Sequence, residues 1–131
     1  MSPEQTSEKT NLFVGVNEPV DPNNLSDLEK KHLPVIDAPD KVKINEPFEV
    51  TIEVGRLLAH PNEHKHFIQF LDLYADDTYL GRADFTSVKS CPKTTFCISL
   101  DAPYNELRAY EHCNLHGTWV YHKPVKVTEG T

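Results

Sequence analysis

The sequence has few cysteines and no excess of positive charge, and both absences exclude classes of protein. Three cysteines in 131 residues are too few, and odd in number, for a disulfide framework. The 13 Lys and Arg residues are outnumbered by 20 Asp and Glu, which gives a formal net charge of −7. Nucleic acid is therefore not an expected partner, because phosphate binding needs a basic surface.

Long apolar runs are also missing, and no stretch approaches the roughly 20 residues that cross a membrane. We therefore expect no membrane partner. The opening residues, MSPEQTSEKT, carry no signal-peptide core, so a cytoplasmic protein is expected. The 38% hydrophobic and 25% charged residues are typical of one globular domain.

The chain divides by composition. Residues 1–27 are rich in Pro, Asn, Asp and Glu, with one apolar island at residues 12–16. We expect an irregular N-terminal arm, docked on the domain or on a neighbouring subunit. Residues 28–131 are expected to form the folded domain.

From Val42 onward the pattern is that of β-strands. FEVTIEV, residues 48–54, alternates apolar and polar side chains, and HFIQFLDLY, residues 66–74, is apolar on both faces, as in a central strand. Roughly seven short strands with turns between them predict an all-β, antiparallel sandwich. The other strands are expected at residues 79–85, 94–100, 106–113 and 124–128.

Cys113 and His116 stand three residues apart in AYEHCNLHGTW. Taken alone, this pair is equally consistent with a packed thiol and with a metal site. A tight turn ending in Gly117 would aim both side chains at one point and direct backbone N–H groups at the sulfur.

A second group of histidines lies in HPNEHKH. His60 falls in a loop and His66 begins the predicted central strand, so the two can converge on one metal ion. His64, between them, is expected at the surface.

A third histidine, His32, ends LSDLEKKH. Ser26 and Glu29 have the spacing of a capping box, which predicts one helical turn before His32. By itself this segment favours a solvated charged turn. Taken with the others, it brings the set to three or four imidazoles and one thiolate, which suits iron, copper or zinc. Zinc normally stops at four ligands, and five are available here.

Two other classes of protein share part of this pattern. A cupredoxin-like electron-transfer protein is also a sandwich with C-x-x-H, but it adds a methionine soon after the second histidine. Tyr121 stands five residues after His116, and the only methionine is Met1. A non-catalytic, immunoglobulin-like binding module would explain the strands but not the candidate ligands.

Taken together, KHLPVI, HPNEHKHFI, LGRADF and CNLHGTW resemble the one-iron superoxide reductases, the neelaredoxin type of the desulfoferrodoxin superfamily. The four motifs run in that family's order over about residues 27–121. The extra N-terminal iron domain of the superfamily needs four cysteines, and no cysteine precedes Cys91. Cys91 and Cys97 have no place in the motifs and are expected to be packed or partly exposed thiols.

The resemblance implies an immunoglobulin-like β-sandwich that binds one iron per chain, as Fe²⁺ or Fe³⁺. By motif position, His64 and His112 fall outside the ligand set. The implied ligands are His32, His60, His66 and His116 around the iron, with Cys113 as the axial thiolate.

The resemblance also implies an activity, the one-electron reduction of superoxide to hydrogen peroxide. A small external electron donor such as rubredoxin would then reduce the ferric iron again. The family further suggests a homotetramer.

Two residues of EKKH are candidate catalytic residues. Lys31 matches the family's lysine, which would attract superoxide despite the net charge of −7. Glu29 departs from the family pattern Glu-Lys-His, because Lys30 occupies the glutamate position. Either the loop bulges and Glu29 still reaches ferric iron, or Glu29 only caps a helical turn. We favour the second interpretation.

Overall fold

The computed structural model describes residues 15–129, so most of the apolar island at residues 12–16 lies outside the described residues. No helix within residues 15–129 is long and apolar enough to cross a membrane. The described residues contain one short helix and nine strands. In chain order these are α1 (Asp27–His32), β1 (Pro34–Asp37), β2 (Lys41–Lys43), β3 (Phe48–Val54), β4 (Ile68–Ala75), β5 (Thr78–Asp84), β6 (Lys93–Ile98), β7 (Glu106–Cys113), β8 (Gly117–Pro124) and β9 (Lys126–Thr128).

Two antiparallel sheets enclose the core. One has the strand order β1-β3-β6 and the other the order β5-β4-β7-β8. Apolar side chains from both sheets form one buried cluster between them. The predicted all-β antiparallel sandwich is therefore confirmed, and its arrangement is compatible with the immunoglobulin-like type.

The alternation in β3 packs one face of the strand into this core. Val50 and Ile52 are fully buried and Val54 nearly so, while the residues between them are more exposed. Burying each such side chain contributes about 1.5–3 kcal/mol. Strand β4, predicted to be central, indeed lies between β5 and β7, and Leu71 and Leu73 are fully buried.

Strand β7 has the predicted bounds, residues 106–113, and its alternation decides where the thiol lies. Leu107, Ala109, Glu111 and Cys113 are all buried on the inner face, with half-buried residues between them. Cys113 is the last residue of the strand, so its sulfur reaches one end of the sandwich from inside.

Three features differ from the expectation. Strand β1 was not predicted, since it has only four residues and begins with a proline. Strand β8 was not predicted either, and the segment expected as one strand at residues 124–128 is divided between the end of β8 and β9. Strands β2 and β9 pair in parallel, which adds a two-stranded ribbon to the antiparallel sheets.

Helix α1 confirms the predicted capping box. Ser26 is the N-cap, and its hydroxyl accepts a hydrogen bond from the Glu29 N–H at 3.1 Å. The Glu29 carboxylate accepts in return from the Ser26 N–H at 2.8 Å. His32 is the last helical residue, so this cap determines the direction from which its ring approaches the sandwich.

The described part of the arm docks on the chain's own sandwich. The Asn17 N–H donates to the Thr118 carbonyl at 2.8 Å, and the Asn17 carbonyl accepts from the Val120 N–H at 3.1 Å. One residue further on, the Glu18 carboxylate lies 2.6 Å from Nε2 of His122. The arm therefore covers the free edge of β8, which would otherwise expose unpaired backbone groups.

We expect the His122 contact to make the stability of the protein depend on pH. Burial lowers the pKa of His122, but the carboxylates of Glu106 and Glu18 outweigh it and raise the pKa above its usual value. A histidine of raised pKa stabilises the folded state fully below its unfolded pKa, and this contribution is lost as the pH rises through the folded pKa. Exposed ion pairs of this kind contribute about 0.2–1 kcal/mol.

His122→Gln should therefore lower the free energy of urea unfolding more at about pH 5.5 than at about pH 8.5. Glu18→Gln, which removes one of the two carboxylates, should reduce the pH dependence of the wild-type protein. An equal loss at both pH values for His122→Gln would contradict the expectation.

Candidate metal centre

His32 enters the site from the end of α1 with its ring already oriented. Its Nδ1 lies 2.7 Å from the Leu28 carbonyl one turn earlier. A carbonyl only accepts, so Nδ1 carries the proton and donates. This leaves Nε2 bare, that is, without a proton, and the atom is buried without a hydrogen-bond partner.

His60 and His66 both enter from the loop that connects β3 to β4, since β4 begins at Ile68 and not at His66 as expected. Gly55 begins the loop at φ +90°, and a Cβ at that position would lie 3.0 Å from the backbone nitrogen of His60. Nδ1 of His60 donates to the Pro61 carbonyl at 2.6 Å, which leaves its Nε2 bare. Further along the loop, Glu63 and His66 exchange backbone hydrogen bonds of 2.9 and 3.1 Å, and Nε2 of His66 is buried without a partner.

Cys113 and His116 enter from the β7–β8 turn. Gly117 takes φ +81°, a backbone conformation that residues other than glycine rarely adopt. The sulfur of Cys113 is fully buried, and burial raises the pKa of the thiol. The backbone N–H groups of Leu115 and His116 point at the sulfur and partly oppose that rise, as the tight turn predicted.

The four imidazoles form a closed ring of edge-to-face contacts around a common centre. Centroid distances are 4.7 Å for His32–His60, 4.7 Å for His60–His66, 5.0 Å for His66–His116 and 4.9 Å for His116–His32. The Cys113 sulfur lies 3.5 Å from Nε2 of His60 and 3.8 Å from Nδ1 of His116. The donor atoms of Cys113 and the first three histidines all lie within 4.8 Å of one another.

The surroundings of His32, His60 and His66 favour the neutral form of these three imidazoles. Burial, opposed by the Pro61 carbonyl and assisted by the neighbouring imidazoles, lowers the pKa of His60 to about 4. Burial is also the largest cause that lowers the pKa values of His32 and His66. Neutral rings present lone pairs instead of protons to the centre, as metal binding requires.

The unprotonated, buried nitrogens show whether the residues present fit a metal ion. A buried polar atom without a partner costs about 1–3 kcal/mol, and Nε2 of both His32 and His66 is such an atom. A cation at the centre of the ring would satisfy both at once. Imidazole with thiolate is a donor set for iron, copper or zinc, so the residues present fit a transition-metal ion.

Three histidines lie outside this cluster: His122, which contacts Glu18 and Glu106, and the two that motif position excluded, His64 and His112. His64 is exposed, with Nδ1 2.9 Å from the Ser87 hydroxyl. His112 stacks on Phe70 at a centroid distance of 5.6 Å, and its neighbour in the strand, Cys113, points to the opposite face. Cys91 and Cys97 are both exposed, free thiols.

Lys31 directly precedes His32 in the last turn of α1. Its side chain is half-buried, and its charge contributes to lowering the pKa of His32 and His66. Lys30 is also half-buried but makes no such contribution to either histidine. Of the two lysines, Lys31 is the one whose charge acts on these imidazoles, and its assignment as a catalytic residue stays a prediction.

Glu29 uses both carboxylate oxygens away from the cluster. Oε1 accepts from the Ser26 N–H and Oε2 accepts from the Val20 N–H at 3.0 Å. The side chain is buried, and these backbone hydrogen bonds lower the pKa of its carboxyl. The arrangement favours the interpretation in which Glu29 caps α1 and holds the arm.

Sequence reasoning missed Glu111, two residues before Cys113 in β7. Both oxygens of its carboxyl are buried without a partner, and burial raises its pKa well above the usual value. The alternation of the strand contained the signal, because Glu111 shares the inner face with Leu107 and Ala109. The charge of Glu111, when ionised, contributes to raising the pKa of the Cys113 thiol.

A β-sandwich with four imidazoles and one thiol converging at one end defines the class of mononuclear His/Cys metal proteins. The family model described as Desulfoferrodoxin matches residues 24–122, which include all five of these side chains. The chain belongs to the desulfoferrodoxin family.

Relatives agree in sequence and in structure. A provisionally named superoxide reductase of Methanocaldococcus jannaschii is 43% identical over 103 residues, covering 76% of this chain and 86% of that protein. The neelaredoxin of Megalodesulfovibrio gigas is 31% identical over 114 residues, covering 73% and 87%. The structure of the superoxide reductase (neelaredoxin) of Ignicoccus hospitalis superposes with a TM-score of 0.74 at 34% identity, covering 86% of this chain and 95% of that one.

The position of Glu29 predicts how Glu29→Ala behaves. The variant should unfold at lower urea concentration near neutral pH, because the capping box and the Val20 contact are lost. A carboxyl of lowered pKa stabilises the folded state above its unfolded pKa, and this contribution is lost as the pH falls through the folded pKa. The difference from wild type should therefore shrink in acid.

The visible spectrum of the iron(III)-loaded Glu29→Ala variant should match that of the wild-type protein. Asp27→Ala is the matched control, since Asp27 also lies in the first turn of α1 but takes no part in the capping box. A changed iron(III) spectrum for Glu29→Ala alone would place that carboxylate on the metal.

Proposed function

We propose that the protein is a superoxide reductase. It delivers one electron to superoxide, which takes up two protons and leaves as hydrogen peroxide. The observation that carries the proposal is the closed ring of four imidazoles with one buried thiol against two of them, His60 and His116. Membership of a family whose relatives are named superoxide reductases supports it.

The proposed cofactor is one iron per chain. When bound, iron would supply the electron by passing from Fe²⁺ to Fe³⁺, with charge donated by the thiolate. Five protein ligands would leave one of six positions for an outside molecule. The proposed ligands are His32, His60, His66, Cys113 and His116.

The chain's own residues would attract the anionic substrate and help to deliver protons to it. Superoxide is an anion and the protein carries a formal net charge of −7, so a local cation is needed. Lys31 is that cation, because its charge already acts on two of the imidazoles. The ammonium group of Lys31 would also hydrogen-bond the oxygen atoms and order the water that passes protons to them.

A cupredoxin function is disfavoured by the number of imidazoles. Blue-copper sites take two histidines and one cysteine with a weak axial ligand. Here four rings face the same centre, and a copper site of that type would leave two of them without a role.

Several features stay predictions. We propose residues 28–131 as the iron-binding domain and residues 1–27 as its arm; the family match over residues 24–122 supports that division. A small electron donor such as rubredoxin, a homotetramer and a cytoplasmic location are the expectations that the sequence motifs and composition raised.

The proposal is tested first by the colour of the iron-loaded protein. During stepwise oxidation, one iron per chain should change from a pale ferrous form to an intensely coloured ferric–thiolate form. The same protein, reduced, should consume superoxide and release one hydrogen peroxide for each electron supplied.

Cys113→Ser should lose the coloured band, and Cys97→Ser, which removes an exposed thiol outside the cluster, should keep it. A wild-type protein that binds no iron would contradict the proposed function. A band that survives in Cys113→Ser would remove this thiol from the site.

Lys31→Ala should slow the capture of superoxide by about tenfold at low salt, since electrostatic attraction of this kind changes association rates by 10-fold or more. The rate of the variant should also depend less on ionic strength. Lys30→Ala is the matched control, one residue away with the same charge. If only Lys30→Ala slows capture, the lysine has been assigned one residue out of register.

A further inference from the structure

Asn114 joins two segments of the candidate metal centre through its side chain. Its Oδ1 accepts from the Phe67 N–H at 2.9 Å, and its Nδ2 donates to the Lys65 carbonyl at 2.8 Å. Phe67 and Lys65 are the residues on either side of His66. The amide of Asn114 therefore holds the backbone on both sides of one candidate ligand, while Asn114 itself directly follows another, Cys113.

The sheet explains why a side chain is needed at this point. Strand β4 begins at Ile68, which pairs with Cys113, and the register shifts between Ile68 and Phe70. Only one long backbone hydrogen bond, from the Asn114 N–H to the Phe67 carbonyl at 3.3 Å, continues the pairing beyond the strand. The amide of Asn114 supplies the two shorter bonds that connect the segment of His66 to the end of β7.

We propose that Asn114 is a positioning residue that couples His66 to Cys113, so that the imidazole and the thiol keep a fixed separation before any metal binds. The inference rests on the proposed metal site. A site whose donors are already in place binds a metal ion more tightly, because less conformational freedom is lost on binding. Both polar atoms of the Asn114 amide are bonded to backbone groups, so Asn114 would act through its neighbours and not as a metal ligand.

A second asparagine provides a comparison within the same loop. The Asn62 amide accepts from the Val88 N–H at 2.7 Å and donates to the Ser90 carbonyl at 3.0 Å. It fastens the loop to residues 85–90, a segment that contributes no donor atom to the cluster among the described residues. Asn62 thus makes bonds of similar number and length without connecting two candidate ligands.

Cobalt(II) is a suitable probe for the test. Its thiolate and imidazole complexes absorb in the near-ultraviolet and visible, so binding is read without superoxide or an electron donor. Asn114→Ala should weaken Co²⁺ binding by about tenfold, the lower end of the effect of residues that orient metal ligands. Asn62→Ala should weaken it clearly less.

Measuring the effect of Asn114→Ala in two variant proteins, His66→Ala and His60→Ala, separates coupling from a general loss of structure. If Asn114 acts through His66, Asn114→Ala should have little additional effect on Co²⁺ affinity in a His66→Ala protein. In a His60→Ala protein, it should keep most of its effect. The difference between the two backgrounds is the coupling that a double-mutant cycle measures.

The outcomes distinguish this inference from the proposed function. If the wild-type protein binds no Co²⁺ or iron, the proposed site itself is wrong. If it binds normally and Asn114→Ala has the same effect in both backgrounds, or only lowers the unfolding midpoint of the metal-free protein, the coupling is wrong. A loss confined to proteins that retain His66 supports the inference.

Discussion

Two buried imidazole nitrogens without partners impose the constraint on which the rest of the structure depends. Nε2 of His32 and Nε2 of His66 have given up water and receive no hydrogen bond in return. Such atoms are tolerated only where the surrounding structure holds them and where binding an ion repays the cost. The helix cap, the loop and the turn around the site can be understood as the devices that keep these atoms in place.

Each device acts through backbone groups. Carbonyls of Leu28 and Pro61 select the ring tautomers of His32 and His60, so that the bare nitrogens face inward. The cap on α1 depends on Glu29, which also holds the arm at Val20. One carboxylate therefore links the arm to the helix that carries His32, and the extra Lys30 in the motif leaves that structural task intact.

Local patterns in the sequence predicted the parts of the fold that local physics decides. Strands β3 and β7 were found at their observed bounds because their alternation is uninterrupted, and the cap of α1 followed from Ser26 and Glu29. Strand β1 and the parallel pairing of β2 with β9 were missed, because short strands are stabilised by partners distant in the chain. The roles of Glu111 and Asn114 depend likewise on tertiary structure, although the alternation in β7 contained a signal for Glu111 that was missed.

The spacing of the candidate ligands along the chain has a consequence for synthesis. His32 precedes β1, whereas His116 follows β7, so the two meet only after most of the chain has left the ribosome. A nascent chain ending before β7 holds three imidazoles but lacks the thiol. The complete donor set thus forms only after β7 and the turn that follows it have been synthesised.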